Sequence, residues 1–305
     1  MIYNESLQSK MIYQLNKEWL LYRKAPIMLS EKSPMEKVWC FIYTLFDFFR
    51  QYVIERNYYK KKTVFADQIY NNSKKCVFYE GLPKIVVYTC VVGGYDNIVE
   101  PLYKSDLYDY VAVTDFELNK NSMWKRLDIN DTNAKNISDM TKKARYIKTH
   151  PHELFSEYDV SVYVDGNVLV CADIIPEVAK LEKKFFGAHI HPWREKLIDE
   201  AKAVIHYGRK ASAEQVVSQV ERYYSNGYND SNKIIETTML IRRHNEEKCI
   251  DLMTEWWNEI DKLSPRDQLS LPMVMYRKKL TLNDIAILGK NMRLNPRFRY
   301  LNHIR

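Results

Sequence analysis

The sequence predicts an α/β domain with a largely parallel sheet, preceded by a helical appendage. Two observations carry the prediction. From Lys84 onward, short runs rich in β-branched residues alternate with helical segments. Before about Gly81 the chain instead carries helical periodicity, over Glu5 to Arg23 and Pro34 to Tyr59. The expected division is therefore residues 1–80 as appendage and 81–305 as the α/β domain. The second N-terminal helix places Trp39, Ile42, Phe46, Phe49 and Val53 on one stripe and ends in Lys60, Lys61 and Lys62. Such a stripe docks on its own protein or a second subunit, or lies at an anionic membrane surface, so residues 34–62 are the expected homo-oligomer or peripheral membrane contact.

The elements of the α/β domain follow in order. Ile85 to Val92 reads as a buried strand running straight into Gly93-Gly94-Tyr95-Asp96, and Tyr108 to Val113 is the next, ending at Thr114-Asp115. Ser138 to Thr149 reads as a helix stopped by Pro151, with Lys142, Lys143, Arg145 and Lys148 expected on its wet side. Val160 to Val164 is a third strand, followed by Asp165-Gly166-Asn167. A short strand at Phe186 to Ile190, a helix near Glu195 to Val204, a strand at Thr237 to Ile241 and a helix at Asn245 to Ile260 complete the series, with Asn245 expected as that helix's cap.

Composition limits the function. The 305 residues hold 46 Lys plus Arg against 39 Asp plus Glu, a net charge of +7. That excess is too small for a dedicated nucleic-acid binder and suits a protein that handles anionic small molecules. Eight Gly and 23 Tyr exclude collagen-like and low-complexity classes. The five Cys are scattered with no CxxC pair, which predicts neither a disulfide framework nor a zinc site and points to a reducing compartment. The N-terminus lacks the features of a signal peptide, and the most apolar stretch, Val38 to Ile54, is interrupted by Asp47 and Arg50. The expected location is cytoplasmic, with a peripheral inner-membrane variant through the appendage.

Ligands of open α/β sheets bind beyond the carboxyl ends of the strands, so the polar residues after each apolar run are the candidates. Gly93 and Gly94 allow close backbone approach, while Tyr95 and Asp96 add a ring and an acceptor that suit a nucleoside; the competing reading is a plain turn. Asp115 ends the second strand in the same position. Asp165 and Asn167, two oxygen-bearing side chains flanking Gly166, can reach one hard cation that also holds diphosphate oxygens, against the reading of an ordinary Asp-Gly-Asn turn. Lys143, Arg145 and Lys148 are candidates for phosphate neutralisation. His189 and His191 lie at strand spacing, and His191 beside Trp193 reads as a sugar contact. Asp267 opens a helix, where an acid complements the helix dipole. The tail holding Lys290, Arg293, Arg297, Arg299 and Arg305 reads either as a lid over a diphosphate or as solvated chain.

The ordered runs YTCVVGGYD, KTHPHELFSEYDVSVYVDGNV, HPWRE, ETTMLIRRHN and RDQLSLP resemble the glycosyltransferase-like family that contains plant turgor-regulation and mucilage-related proteins and bacterial surface-polysaccharide enzymes. The resemblance spans roughly residues 84 to 305 and implies a GT-A fold, a Rossmann-like nucleotide-sugar domain with a DxD-type turn. It implies metal ligands Asp165, Asn167 and His303 for Mn²⁺ or Mg²⁺, with Asn167 replacing the usual second Asp and so removing one negative charge. It implies a nucleotide-sugar donor, foremost a UDP-sugar, held by Gly93, Gly94, Tyr95, Asp96, Asp115, Lys143, Arg145, Lys148, Asp165 and Gly166. Trp193, Arg194, Glu236 and Gln268 become sugar contacts; His191 and Asp267 become catalytic candidates, Asp267 as base or nucleophile. The implied reaction is metal-assisted transfer to a hydroxyl of a surface glycan or lipid-linked glycan. The alternatives are a noncatalytic sugar- or nucleotide-binding module, and a hydrolase, for which no Ser-His-Asp elbow or HExxH motif is present.

Overall fold

The computed structural model describes residues 81–207 and 211–301. The expected appendage and its contact face, and His303, lie outside the described residues. The described chain is a mixed α/β domain built on a seven-stranded sheet. Its strands are β1 (Ile85–Val91), β2 (Tyr108–Thr114), β3 (Lys125–Asp128), β4 (Val160–Val164), β6 (Phe186–Ile190), β7 (Ile235–Arg242) and β8 (Ala286–Gly289), in the order β3-β2-β1-β4-β7-β6-β8. Two short strands, β5 (Val168–Val170) and β9 (Phe298–Tyr300), pair separately and antiparallel.

β1, β2, β3 and β4 run parallel, and β7 enters antiparallel between β4 and β6. This reversal brings the start of β7 beside the end of β4. β1 and β4 are buried along their whole lengths, which accounts for their continuous runs of Val, Ile and Tyr rather than an alternating pattern. One face packs Val86, Tyr88 and Tyr163 against Ile147, Leu252 and Trp256; the other packs Val87, Val162 and Ile241 against Ile174, Val178 and Phe298. A third cluster joins α4 (Leu197–Tyr207), α5 (Ala213–Ser225) and the helix from Asp267 through Leu197, Val216, Tyr223 and Leu269.

The remaining helices are α1 (Met140–Thr149), α2 (Pro151–Leu154), α3 (Ile175–Ala179), α6 (Glu247–Lys262) and α7 (Asp267–Arg277). α1 departs from its sequence expectation. Lys143, Arg145 and Lys148 are buried rather than wet, because α1 packs between the sheet and α6 and its basic side chains find partners inside. Asn245 does not cap α6, whose cap position is Glu246; its amide instead donates to the carbonyls of Ser156 and Tyr158, both at 2.9 Å. β3, β5, β8, β9, α3 and α5 have no counterpart in the sequence pattern, and Pro151, expected to stop α1, also opens α2, where its missing N–H costs nothing.

Candidate active site

Two glycines shape the floor of the site. Gly93 and Gly94 after β1 have φ of 68° and 63°, backbone that only glycine adopts freely, and the Gly93 amide donates to Asp115 Oδ2 at 2.8 Å. The ends of β1 and β2 are thereby tied together. At Gly166 a Cβ would stand 2.3 Å from Val91 Cγ2, so the Asp-Gly-Asn turn lies directly on β1 and tolerates no side chain.

Asp165 follows the last residue of β4. Its Oδ1 accepts from the Tyr163 hydroxyl at 2.9 Å and stands 3.8 Å from Lys148 Nζ, while 31% of the side chain stays exposed. Asn167 is buried. Its Nδ2 donates to the Leu301 carbonyl at 2.9 Å and its carbonyl accepts from the Leu301 amide, so the chain just after β9 is stitched to the turn. Asn167 Oδ1, by contrast, is buried without a hydrogen-bond partner. An acceptor oxygen left in that state is costly. Beside a half-exposed carboxylate it fits a hard divalent cation, which takes oxygen ligands and tolerates a neutral amide among them. Among the described residues no three His, Cys, Asp or Glu side chains gather to hold a metal.

Behind the turn lies a buried ionic network. Asp267, at the first position of α7, receives Lys148 Nζ at 2.6 Å and the Thr237 hydroxyl at 2.9 Å on Oδ2, and faces Arg145 at 3.4 Å through Oδ1. Its backbone carbonyl accepts from the Trp256 indole at 3.0 Å. Burial alone would raise the Asp267 carboxyl, but Arg145, Lys148 and Arg266 overcome that and hold it well below the usual carboxylate range. Lys148 is pulled below its ordinary value by burial, with Asp267 and Asp165 opposing. The charges thus alternate: two cations from α1 lie between a buried carboxylate and the exposed one at the turn.

A second cluster lies at the end of β6. His191 Nδ1 accepts from the amides of Trp193 at 3.2 Å and Arg194 at 3.1 Å, which places the ring proton on Nε2. Burial, then the charges of Arg194, Arg293 and Arg266, lower His191 to about 3. A neutral ring with its only acceptor nitrogen occupied donates a hydrogen bond and does not abstract a proton. His189 is separate: the β6–β7 register shifts between Ala188 and His189, and His189 sits buried beside Asn295 at 3.3 Å, with burial lowering it to about 4. The two histidines do not form a pair. Trp193 is 60% exposed, with Arg293 over its ring at 5.3 Å and over that of Tyr300 at 4.2 Å. Arg194 pairs with the buried Glu200, which also receives Arg266 at 2.8 Å. The HPWR segment is therefore locked to the residue that precedes Asp267.

The structure brings Lys148, Arg145, Asp165 and Asp267 into one network, with Gly93, Gly166 and Asp115 at its mouth. Lys143 is not in that network: its ammonium reaches the Lys135 carbonyl at 3.2 Å. Arg297 is not part of a lid, since it donates inward to the Asp173 carbonyl at 2.7 Å. Tyr95 is exposed, Asp96 is buried with Oδ1 on the Asn97 amide, and Gln268 is half-buried in the first turn of α7. Tyr163 and Thr237, which hold the two site carboxylates, escaped the sequence reading. Both stand inside apolar strands, where only the strand register reveals which face they take.

The sequence matches the TOD1/MUCI70, glycosyltransferase-like domain over residues 53–288. No curated protein sequence matches it. Among solved structures, the chain resembles the apo WbbM bifunctional glycosyltransferase at 12% identity and a TM-score of 0.41, covering 71% of this chain and 40% of that one. It also resembles the galactosyltransferase LgtC in complex with donor and acceptor sugar analogs, at 14% identity and a TM-score of 0.34, covering 61% of this chain and 69% of LgtC. An active-site mutant of LgtC gives 15% identity and a TM-score of 0.35 over the same shares. The chain spans well under half the length of WbbM.

Proposed function

Because the chain belongs to the TOD1/MUCI70 glycosyltransferase-like domain family, we propose that it is a GT-A glycosyltransferase moving a sugar from a nucleoside diphosphate donor to a hydroxyl of a glycan or lipid-linked glycan acceptor, with Mn²⁺ or Mg²⁺ at Asp165 and Asn167. The observation that carries the reading is the half-exposed Asp165 beside two buried cations, with the unpaired Asn167 Oδ1 next to it. A divalent cation bound there supplies positive charge to the leaving diphosphate. Gly93 and Gly94 give the donor a backbone surface without side chains, with Tyr95, Asp96 and Asp115 beside it for the nucleoside, a UDP-sugar being the first donor to test.

The protein's own contribution is electrostatic preorganisation. Arg145 and Lys148 are fixed before substrate arrives and favour the state in which charge has moved onto the diphosphate over the ground state. Asp267 fits an anchoring role for these two cations better than the base or nucleophile role the family resemblance implies. Both its oxygens are engaged, and a carboxylate held so far below its usual range accepts a proton poorly. His191 offers Nε2–H to a sugar oxygen, and the exposed Trp193 ring offers a stacking face; Gln268 follows Asp267 in the first turn of α7.

Release of nucleoside diphosphate from a panel of nucleotide sugars with Mn²⁺ tests the reading. Asp165→Ala is expected to lower turnover by about 100-fold or more, the scale of losing one preorganised electrostatic contact. Turnover that survives this substitution excludes the turn as the donor site. Donor binding without any turnover, with or without acceptor glycans, favours the noncatalytic module instead.

Among the described residues no helix is long and apolar enough to cross a membrane. A peripheral membrane or subunit contact through residues 34–62 and a cytoplasmic location remain part of the proposal; deletion of residues 1–75 is expected to abolish vesicle or subunit association and to leave donor binding intact.

A further inference from the structure

Four of the buried carboxylates among the described residues close on cations. Glu177 pairs with Lys180 at 2.7 Å, Glu259 with Arg277 at 2.6 Å and Asp267 with Lys148 at 2.6 Å, while Glu200 holds both Arg194 and Arg266. Glu236 departs from this rule. It is buried at the start of β7, yet among the described residues no Lys, Arg or His comes within 4.0 Å of it, and its Oε2 has no hydrogen-bond partner. Its polar contacts are weak: the Thr238 hydroxyl on Oε1, long at 3.4 Å, and the Met292 backbone. Arg293 acts on it from a distance only, being seated over the rings of Trp193 and Tyr300. An ionised carboxylate in that state costs several kcal/mol unless a cation meets it, and without one the group holds its proton.

The strand register says where that cation belongs. β4 and β7 pair antiparallel with Tyr163 opposite Leu240 and Val164 opposite Met239. The Asp165 amide donates to the Thr238 carbonyl at 2.9 Å, which extends the ladder by one step. Thr238 touches both acids: its carbonyl holds the Asp165 amide and its hydroxyl reaches Glu236 Oε1, across the register irregularity that β7 carries between Glu236 and Leu240. Two residues past Asp165 the turn carries Asn167, and two residues before Thr238 the opposing strand carries Glu236. Two buried oxygens that lack hydrogen-bond partners, Asn167 Oδ1 and Glu236 Oε2, thus belong to residues on either side of the half-exposed Asp165, one along the turn and one across the Thr238 contact.

We propose that Glu236 is the second anionic ligand of the cation at the Asp165–Asn167 turn, restoring from β7 the negative charge that the turn lacks at Asn167. The proposal rests on the reading of that turn as a cation site. Two carboxylates and one amide oxygen form a hard ligand set that neutralises a divalent ion, the composition that suits Mg²⁺ or Mn²⁺ and not a soft metal.

The test is Mn²⁺ binding to the full chain, followed by the loss of the free-ion electron paramagnetic resonance signal, with and without UDP. Wild-type protein is expected to take up one ion, and Glu236→Gln to weaken that uptake by at least about tenfold, since affinity in oxygen sites follows ligand charge. Glu236→Asp, which keeps the charge on a shorter arm, is expected to retain more of the uptake than Glu236→Gln. The metal-free melting temperature of Glu236→Gln is expected to equal or exceed that of wild type, because the amide removes a desolvated charge; this reports on folding separately. Unchanged Mn²⁺ affinity in a folded Glu236→Gln protein, with uptake lost in Asp165→Ala, overturns the role of Glu236 and leaves the turn as the cation site. Uptake that survives Asp165→Ala, or no uptake by wild type with UDP present, overturns both.

Discussion

Lys148 and Asp267 show how a single residue's environment fixes its role. Lys148 is 1% exposed, so removing its counter-charge strands an ammonium in the interior. Asp267→Asn is expected to destabilise the domain by about 3–5 kcal/mol, the scale measured for breaking buried ion pairs, read as a lower urea midpoint. The pH dependence follows from the same groups. His189 and His191, lowered to about 4 and about 3, are neutral in the fold. The unfolded chain binds protons first, so their contribution is complete above about pH 6.5 and declines as pH falls below it. Asp267 is depressed too, and its contribution is complete above about pH 4 and is lost as pH falls further. Urea midpoints measured from pH 8 to pH 3 should fall in two stages, the first reduced in His189→Gln. Asp165 and Gly166 stand out in the sequence because they follow an apolar strand, where polar residues need a reason, whereas Asp267 reads there only as an acid in the first turn of a helix. The burial of Arg145 and Lys148 was not legible, since a basic helix face looks the same whether it meets water or a carboxylate brought in from residue 267.

At the scale of elements, the close packing of the Asp-Gly-Asn turn on β1 sets what the site tolerates. Gly166→Ala forces its new methyl against Val91 Cγ2, and overpacking of this kind costs typically about 1–3 kcal/mol. Thermal melting should show the loss, and Val91→Ala combined with Gly166→Ala should recover part of it; strict additivity of the two substitutions would mean the contact is relieved elsewhere. Phe298 in β9, fully buried against the second core cluster, anchors the strand that leads to Leu301. Phe298→Ala is expected to lower stability by about 3–5 kcal/mol and to weaken Mn²⁺-dependent UDP binding in the same protein. The strands β1, β2, β4, β6 and β7 were readable from their apolar runs. β9, three residues long with Arg297 before it and Arg299 at its centre, has no such run, and its existence depends on β5 being there to receive it.

For the molecule as a whole, the alternation of strands and helices was enough to fix the α/β class, while the strand order was beyond it. No local pattern announces that β7 inserts antiparallel between β4 and β6, because that choice is made by contacts between residues far apart in the chain. This same remoteness governs when the site comes into being. The Lys148–Asp267 pair joins positions 119 residues apart. A ribosome-bound chain that has emerged only through α6 already has β7 to pair with β4, yet it holds Arg145 and Lys148 without the acid that completes them. Ligand capture is therefore deferred until the chain has been made through Asp267, and a translation product that stops short of it is inert toward the donor pool.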